Sequence, residues 1–313
     1  MNLILGTMTF GQQVFEEEAK AMTELFVSKG YHELDTAYVY NEGECEKLLG
    51  TLLKDMDKSK IRIATKVNPR ISGKLDGDAV RKQLPESLER MGIEKADTLY
   101  LHFPDPKTPI ESVLEACDEM HRAGKFTKLG LSNFPAWMVV DVWHKCKARD
   151  MVLPTVYEGV YNPLTRKAET ELFSALRNYN MCFCAYNPLA GGMLTGRYKS
   201  VDETPTEGRF VLRKTYPSRY WKQSFFEALD ILCEACGEMT MVEATYRWLA
   251  FHSVLNADLG DSILIGASKY AQLEQNIVTI EKGPLPEDVV AAFERAWQHC
   301  KADAPEYFTL YRG

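Results

Sequence analysis

The sequence predicts a (β/α)8 TIM barrel of the α/β class on three observations. Eight short apolar runs of strand character alternate with helical patterns along most of the 313 residues. Such alternation implies parallel pairing through right-handed crossovers, and eight units suit a closed barrel. A doubly wound sheet, the rival, wants a Gly-x-Gly-x-x-Gly turn after its first strand. Here Gly6-Thr-Met-Thr-Phe-Gly11 has the wrong spacing. Finally, distinctive side chains or turns close the second to eighth runs, where a barrel of this kind carries its chemistry.

In chain order, a strand is expected at 2–6 and a helix at 16–29. Strand 31–34 follows, then helix 44–54, strand 61–67 (Ile-Arg-Ile-Ala-Thr-Lys-Val) and helix 76–91. Strand 98–101 precedes helix 110–123, and strand 127–131 precedes helix 135–148. Strand 154–158 leads to helix 167–179, strand 181–186 comes next, and 262–266 completes the eight. Helix 270–281 closes the repeat. The whole chain, 1–313, is expected to form one domain.

Two segments exceed the repeat. A turn-rich stretch at 191–222, after the seventh strand, carries Arg197, Lys199, Arg209, Arg213, Lys214, Arg219 and Lys222 against Asp202, Glu203 and Glu207. It is a basic loop on an acidic protein, and loops of that length are usually lids or binding elements. A helix at 286–301 and a tail ending in Tyr307-Phe-Thr-Leu-Tyr-Arg312 follow the barrel.

Composition narrows the function. A net charge of −7 excludes a general nucleic-acid binder, whose footprint is basic. The N-terminal residues lack a basic n-region and long apolar core, and no apolar run approaches the ~20 residues of a membrane helix. A soluble, cytoplasmic protein is expected, with no membrane partner. The eight cysteines read as core thiols, since Cys182-Phe-Cys184 and Cys233-Glu-Ala-Cys236 lack the turn context of zinc knuckles.

The candidate catalytic residues are Asp35, Tyr40, Lys66 and His102. A Tyr beside a Lys suits proton delivery to a carbonyl oxygen, because an adjacent ammonium favours phenolate and lowers the phenol's value. Asp35 would keep Lys66 charged and aimed, and His102 would orient the carbonyl or relay the proton. A general acid of this kind needs an electron partner, and a nicotinamide hydride donor supplies one. Tyr186 is placed to stack on the ring, and Ser132 and Asn133 to hydrogen-bond its carboxamide. Gly266-Ala-Ser-Lys269 opens a helix after the eighth strand, a phosphate site.

Together these pieces resemble an aldo-keto reductase over nearly the whole chain. The signatures are Leu5-Gly-Thr-Met-Thr-Phe-Gly11, Leu34-Asp-Thr-Ala-x-x-Tyr40, Thr65-Lys66, Leu101-His-x-Pro-Asp105 and Gly130-Leu-Ser-Asn133. Leu153-Pro-Thr-Val-Tyr157, Tyr186-Asn-Pro-Leu-Ala-Gly-Gly-Met-Leu-Thr-Gly196 and Gln272-Leu-Glu-Gln-Asn276 look most like the aflatoxin-aldehyde and succinic-semialdehyde reductase branch. The resemblance implies reduction of aldehydes, and of some ketones or dicarbonyls, by NADPH. Tyr40 would donate the proton, with no metal involved. Met8, Asp35, Ser132, Asn133, Glu158 and Tyr186 would meet the NADPH or NADP+ nicotinamide half. Asn187, Pro188, Leu189, Gly191 and Arg197 would follow the pyrophosphate. Arg209, Gly266, Ala267, Ser268, Gln272, Gln275 and Asn276 would hold the rest of the cofactor, including its 2′-phosphate end. His102, Tyr216 and Arg219 would meet the substrate, and a homodimer is the branch's habit.

Two departures stand out. Glu158 occupies a position where that family usually has Gln, and an ionised Glu only accepts hydrogen bonds and favours the cationic, oxidised ring. The tail also runs past the branch's usual end. The competing readings are a redox-sensing subunit like the potassium-channel β subunits, and a barrel isomerase or lyase without nicotinamide.

Overall fold

The computed structural model describes residues 1–312. Its elements run β1 (Asn2–Gly6), α1 (Glu16–Ser28), β2 (Glu33–Asp35), α2 (Glu44–Leu52), β3 (Arg62–Val67), α3 (Pro69–Ser72) and α4 (Gly77–Met91). Next come β4 (Ala96–Leu101), α5 (Glu111–Arg122), β5 (Phe126–Ser132), α6 (Ala136–Ala148), β6 (Pro154–Val160), α7 (Leu172–Asn178) and β7 (Cys182–Tyr186). The connection from β7 to β8 (Ser262–Gly266) carries α8 (Arg209–Leu212), α9 (Tyr216–Tyr220), α10 (Gln223–Cys236) and α11 (Met241–Phe251). Then α12 (Tyr270–Ile280) and α13 (Glu287–Cys300) end the helical part.

Each strand pairs in parallel with the next, and β8 returns to β1 with Gly6 opposite Gly266, closing an eight-stranded barrel. The predicted fold class and strand number hold. Strand β2 begins two residues later than expected and reaches Asp35, and β6 runs on to Val160. The helices at 223–236 and 241–251 were not resolved as separate elements by the sequence reading. There, α10 packs chiefly on α13, whereas α11 packs on α12 and supplies the helix between β7 and β8.

Period-two alternation sorts the side chains. One set faces the helices and joins the main apolar core, including Leu5, Leu99, Leu131, Tyr157 and Phe183. The other fills the barrel, where Ala64, Tyr100 and Val156 form a separate small cluster. Gly130 is required there, because a Cβ would sit 2.4 Å from the Tyr100 ring. Two residues further along β3, β5 and β6, the same alternation brings Lys66, Ser132 and Glu158 into the layer above.

Local capping sets the ends of several helices. Asp76 accepts a hydrogen bond from the Ala79 amide at the start of α4, and Gly92 ends that helix in the left-handed region at φ 60°. Thr240 caps α11 in the same way through Glu243. The tail crosses the ends of two strands: the Thr309 amide donates to the Asn133 carbonyl at 3.1 Å, and the Tyr311 amide to Pro104 at 2.9 Å.

Close helix approach yields the first prediction. A Cβ on Gly50 of α2 would lie 2.2 Å from the Arg90 carbonyl oxygen. Alanine is favoured over glycine in a helix by about 1 kcal/mol, yet backbone must move here. Gly50→Ala is expected to lower unfolding free energy by about 1–3 kcal/mol in denaturant titration, the usual cost of overpacking. A stabilised variant would mean that α2 and α4 separate freely.

Candidate active site

A cavity of about 430 Å³ opens at the C-terminal ends of the strands. Its floor is built around one ammonium. Lys66, at 1% exposure, ion-pairs with Asp35 from β2 and donates to the Thr36 carbonyl at 2.9 Å. Its Nζ also lies 3.2 Å from Glu158 Oε2, without the angle of a hydrogen bond, and that oxygen has no hydrogen-bond partner. The Tyr40 and Tyr100 rings each sit with centroids 5.4 Å from Nζ.

Tyr40 is aimed by a strained turn. Asn41 and Glu42 take φ of 49° and 57° and Gly43 follows at 91°, all in the left-handed region. Asn41 is latched there, donating from Nδ2 to the carbonyls of Met8 at 3.0 Å and Phe10 at 2.7 Å. The loop after β1 therefore fixes the turn that presents the phenol.

His102 stands edge-on to Tyr40, with ring centroids 6.0 Å apart. Its Nδ1 lies 3.1 Å from Asn68 Nδ2, while Asn68 Oδ1 accepts from the Arg70 amide at 2.9 Å. Because the oxygen is committed to that amide, the nitrogen faces the imidazole and donates to it. His102 Nδ1 is thus the acceptor, and the neutral ring carries its proton on Nε2. Gln83 clamps Asn68 in turn, accepting from its amide at 2.8 Å and donating to its carbonyl at 3.1 Å.

Burial governs the charges. It pushes His102 well below its ordinary value, with Lys66 and Arg70 adding to the effect. Burial alone would lower Lys66, but Asp35 and Glu158 outweigh it and hold the ammonium charged. Burial raises both carboxyls. The direct hydrogen bond from Lys66 keeps Asp35 the stronger acid of the pair, so the retained proton sits on Glu158. That direction runs against the expectation of an ionised Glu158. Tyr40 also departs from expectation, since its value goes up. Burial is the largest cause, and Asp35 and Glu158 oppose the help from Lys66. A single ammonium flanked by two carboxyls is too well compensated to draw out a phenolate.

The expected cofactor residues divide into groups. Met8, Asp35, Ser132, Asn133, Glu158 and Tyr186 reach the cavity, as do Asn187, Pro188, Leu189, Gly191, Arg197, Arg209, Gly266, Ala267, Ser268 and Gln272. Tyr216 and Arg219, the expected substrate residues, also line it. Gln275 and Asn276 are not on its wall. Their amides turn to Thr279 and Tyr246, at 3.3 and 3.4 Å. Lys66 lies beneath the wall, behind Asp35, Tyr40 and Glu158. Asn133 already uses its amide within the protein, donating to the His102 carbonyl at 3.0 Å and Ser132 at 2.9 Å, and accepting from Tyr186 at 2.7 Å.

Similarity to known proteins falls in step with this geometry. The Aldo/keto reductase family profile matches residues 2–298. The chain belongs to the aldo/keto reductase family. It is 41% identical to human "Aldo-keto reductase family 7 member A3" over 318 aligned positions, covering 97% of this chain and 96% of the relative. It is 42% identical to rat "Aflatoxin B1 aldehyde reductase member 2", covering 97% and 87%. A human "Aflatoxin B1 aldehyde reductase member 4" is 41% identical, covering 97% and 96%. The chain is an oxidoreductase.

In this aldo/keto reductase, sequence reasoning missed Asn68, Gln83, Arg70, Phe103 and Tyr246. Asn68 had a signal, lying two residues past Lys66 on the same side of the run. Arg70 had none, because its place depends on α3 bringing it over the Phe103 ring, 4.6 Å from the centroid, beside His102. The hydrogen-bond relay predicts a spectroscopic result. Nitrogen-15 NMR is expected to find His102 neutral from pH 8 down to 6.5 with its proton on Nε2, and Asn68→Ala is expected to lose that tautomer preference. A ring titrating above 6.5 would contradict the assignment.

Proposed function

We propose that this aldo/keto reductase reduces aldehydes, and some ketones or dicarbonyls, with NADPH, using Tyr40 as the general acid. The observation that carries the reading is the convergence of the Tyr40 hydroxyl group and a neutral, Nε2-protonated His102 on one cavity above the Lys66–Asp35 pair. The names of the relatives support an aldehyde as substrate. A nicotinamide dinucleotide suits the residues present. Arg209 faces the cavity with no carboxylate partner among the described residues, its nearest polar contacts being Tyr216 at 3.5 Å and Met8 sulfur at 3.8 Å. Gly266 leaves open space beside its backbone.

When bound, the coenzyme supplies hydride to the carbonyl carbon. The protein supplies the rest. His102 donates from Nε2 to the carbonyl oxygen and orients it, and Tyr40 then gives its hydroxyl proton to that oxygen. A phenol held above its ordinary value still protonates an alkoxide, which is the stronger base. The phenolate left behind is stabilised by the charge of Lys66, whose Nζ lies 5.4 Å from the ring centroid, with Asp35 keeping the ammonium in place. Retention of the Tyr40 proton favours the reductive direction. Tyr186 would stack on the ring, and Ser132, Asn133 and Glu158 would meet its carboxamide. Asn187–Leu189, Gly191 and Arg197 would follow the pyrophosphate. Arg209, with Gly266–Ser268 and Gln272 at the start of α12, would hold the 2′-phosphate end and favour NADPH over NADH.

The test is coenzyme titration followed by aldehyde turnover in wild type and Tyr40→Phe. The variant is expected to bind NADPH with little change and to lose at least about two orders of magnitude in kcat, the scale of general-acid loss. Near-normal turnover in the variant would remove Tyr40 from this role.

Arg219 extends the reading to substrate class. Its guanidinium lies over the Tyr216 ring at 5.5 Å, lines the cavity, and has no ion-pair partner among the described residues. A carboxylate a few carbons from the aldehyde is a bidentate partner for it. Succinic semialdehyde should therefore have a higher kcat/KM than butanal, and Arg219→Ala should raise KM for the charged aldehyde alone. Equal effects on both substrates would leave Arg219 a structural residue.

A further inference from the structure

Glu158 lines the site but takes no part in the proton transfers of the proposed reaction. It is 4% exposed, lies on β6 between Ser132 of β5 and Cys184 of β7, and lines the cavity. One of its oxygens is buried with no hydrogen-bond partner. That oxygen, Oε2, lies 3.2 Å from the Lys66 ammonium, so one ammonium is shared by the Glu158 and Asp35 carboxyls at the edge of the cavity.

The charged and titratable groups facing Glu158 come from several elements. Asp35 projects from β2 and Lys66 from β3; Tyr40 follows β2, Tyr100 lies on β4, and Cys184 and Tyr186 lie on β7. Ser132 on β5 carries no charge. Burial holds the three tyrosines and the thiol above their ordinary values, so they stay neutral near neutrality. Lys66 stays charged and His102 stays neutral. Two carboxyls sharing one ammonium remain, and burial raises both, so the set favours holding one proton that can leave.

We propose that Glu158 is a proton-holding carboxyl facing the redox ring of the bound coenzyme, keeping its proton beside the neutral reduced ring and releasing it when the cationic oxidised ring takes that place. This rests on the nicotinamide coenzyme reading above. With its proton, the carboxyl can donate as well as accept, as an amide does, towards the ring's carboxamide. Without it, the site carries an extra negative charge. A cation beside Glu158 favours the ionised form, and by linkage the ionised form favours the cation. A unit charge at contact distance in a site of effective dielectric near 20 corresponds to at least about a tenfold change in affinity. The identity of this one side chain thereby makes relative affinity for the two coenzyme forms depend on pH.

Dissociation constants for NADP+ and NADPH, measured by fluorescence titration in steps from about pH 6.5 to 9.5, test this without turnover. Both forms carry the same 2′-phosphate, so its own titration cancels in their ratio. The ratio of the NADP+ to the NADPH constant is expected to fall at least about tenfold as pH rises, and to stay flat in Glu158→Gln. Calorimetry in two buffers of different ionisation enthalpy should show more proton release for NADP+ than for NADPH in wild type only. A flat ratio in wild type overturns the proposal, as does the same drift in Glu158→Gln, and in both cases the coenzyme reading survives. Failure of wild type to bind either dinucleotide overturns both.

Discussion

The buried ammonium of Lys66 is the interaction on which the site depends. Removing an ammonium from water has an effective cost of several kcal/mol even after relaxation, and three oxygens close around Nζ to offset it. The ion pair with Asp35 and the bond to the Thr36 carbonyl hold it from one side, and Glu158 stands on another. This arrangement keeps Lys66 charged while leaving the carboxyls unable to ionise together. Tyr40 lies on the edge of that cluster and takes its properties from it. Its proton is retained in the resting site, and the positive charge matters once a phenolate begins to form.

Barrel geometry explains why such a cluster exists at all. Parallel strands whose alternate residues point inward place side chains from β2, β3 and β6 at one level. No local segment contains the site: Asp35, Lys66 and Glu158 are brought together by closure. The upper layer is polar because it faces the cavity, whereas the layer beneath is sealed by Tyr100 packed over Gly130. Around the rim, side-chain amides do the positioning. Gln83 fixes Asn68, Asn68 fixes the His102 tautomer, and Asn133 ties Tyr186 to the His102 backbone. The tail adds backbone bonds to Asn133 and Pro104, so the residues past Tyr307-Phe308 brace the same rim.

Much of this was legible in the sequence, for identifiable reasons. Strand–helix alternation is a local signal and specified the barrel. The positions of Asp35, Lys66, His102 and Glu158 at or near strand ends are given by the same signal, although β6 continues two residues past Glu158, and the structure brings them to one end of the barrel. Charge states were not legible. A Tyr near a Lys suggests a lowered phenol, but the outcome depends on how deeply both are buried and on the carboxyls opposite them. Asn68 and Gln83 were missed because their roles lie in side-chain amides meeting backbone across 15 positions in sequence. Gln275 and Asn276 fall one turn beyond Gln272 on α12, where the helix carries them off the cavity wall. The helices α10 and α11 escaped separate notice because they follow a long turn-rich connection after β7, and α10 is additional to the one helix per strand of the repeat.

The proton distribution is the central claim, and neutron diffraction from perdeuterated crystals near pH 7.5 tests it directly. The account predicts three deuterons on Lys66 Nζ, one on Tyr40 Oη and one on His102 Nε2. It also predicts a single deuteron held between Asp35 and Glu158, on the Glu158 side. A bare Tyr40 oxygen, a neutral Lys66 amine, or two carboxylates with no deuteron between them would contradict it.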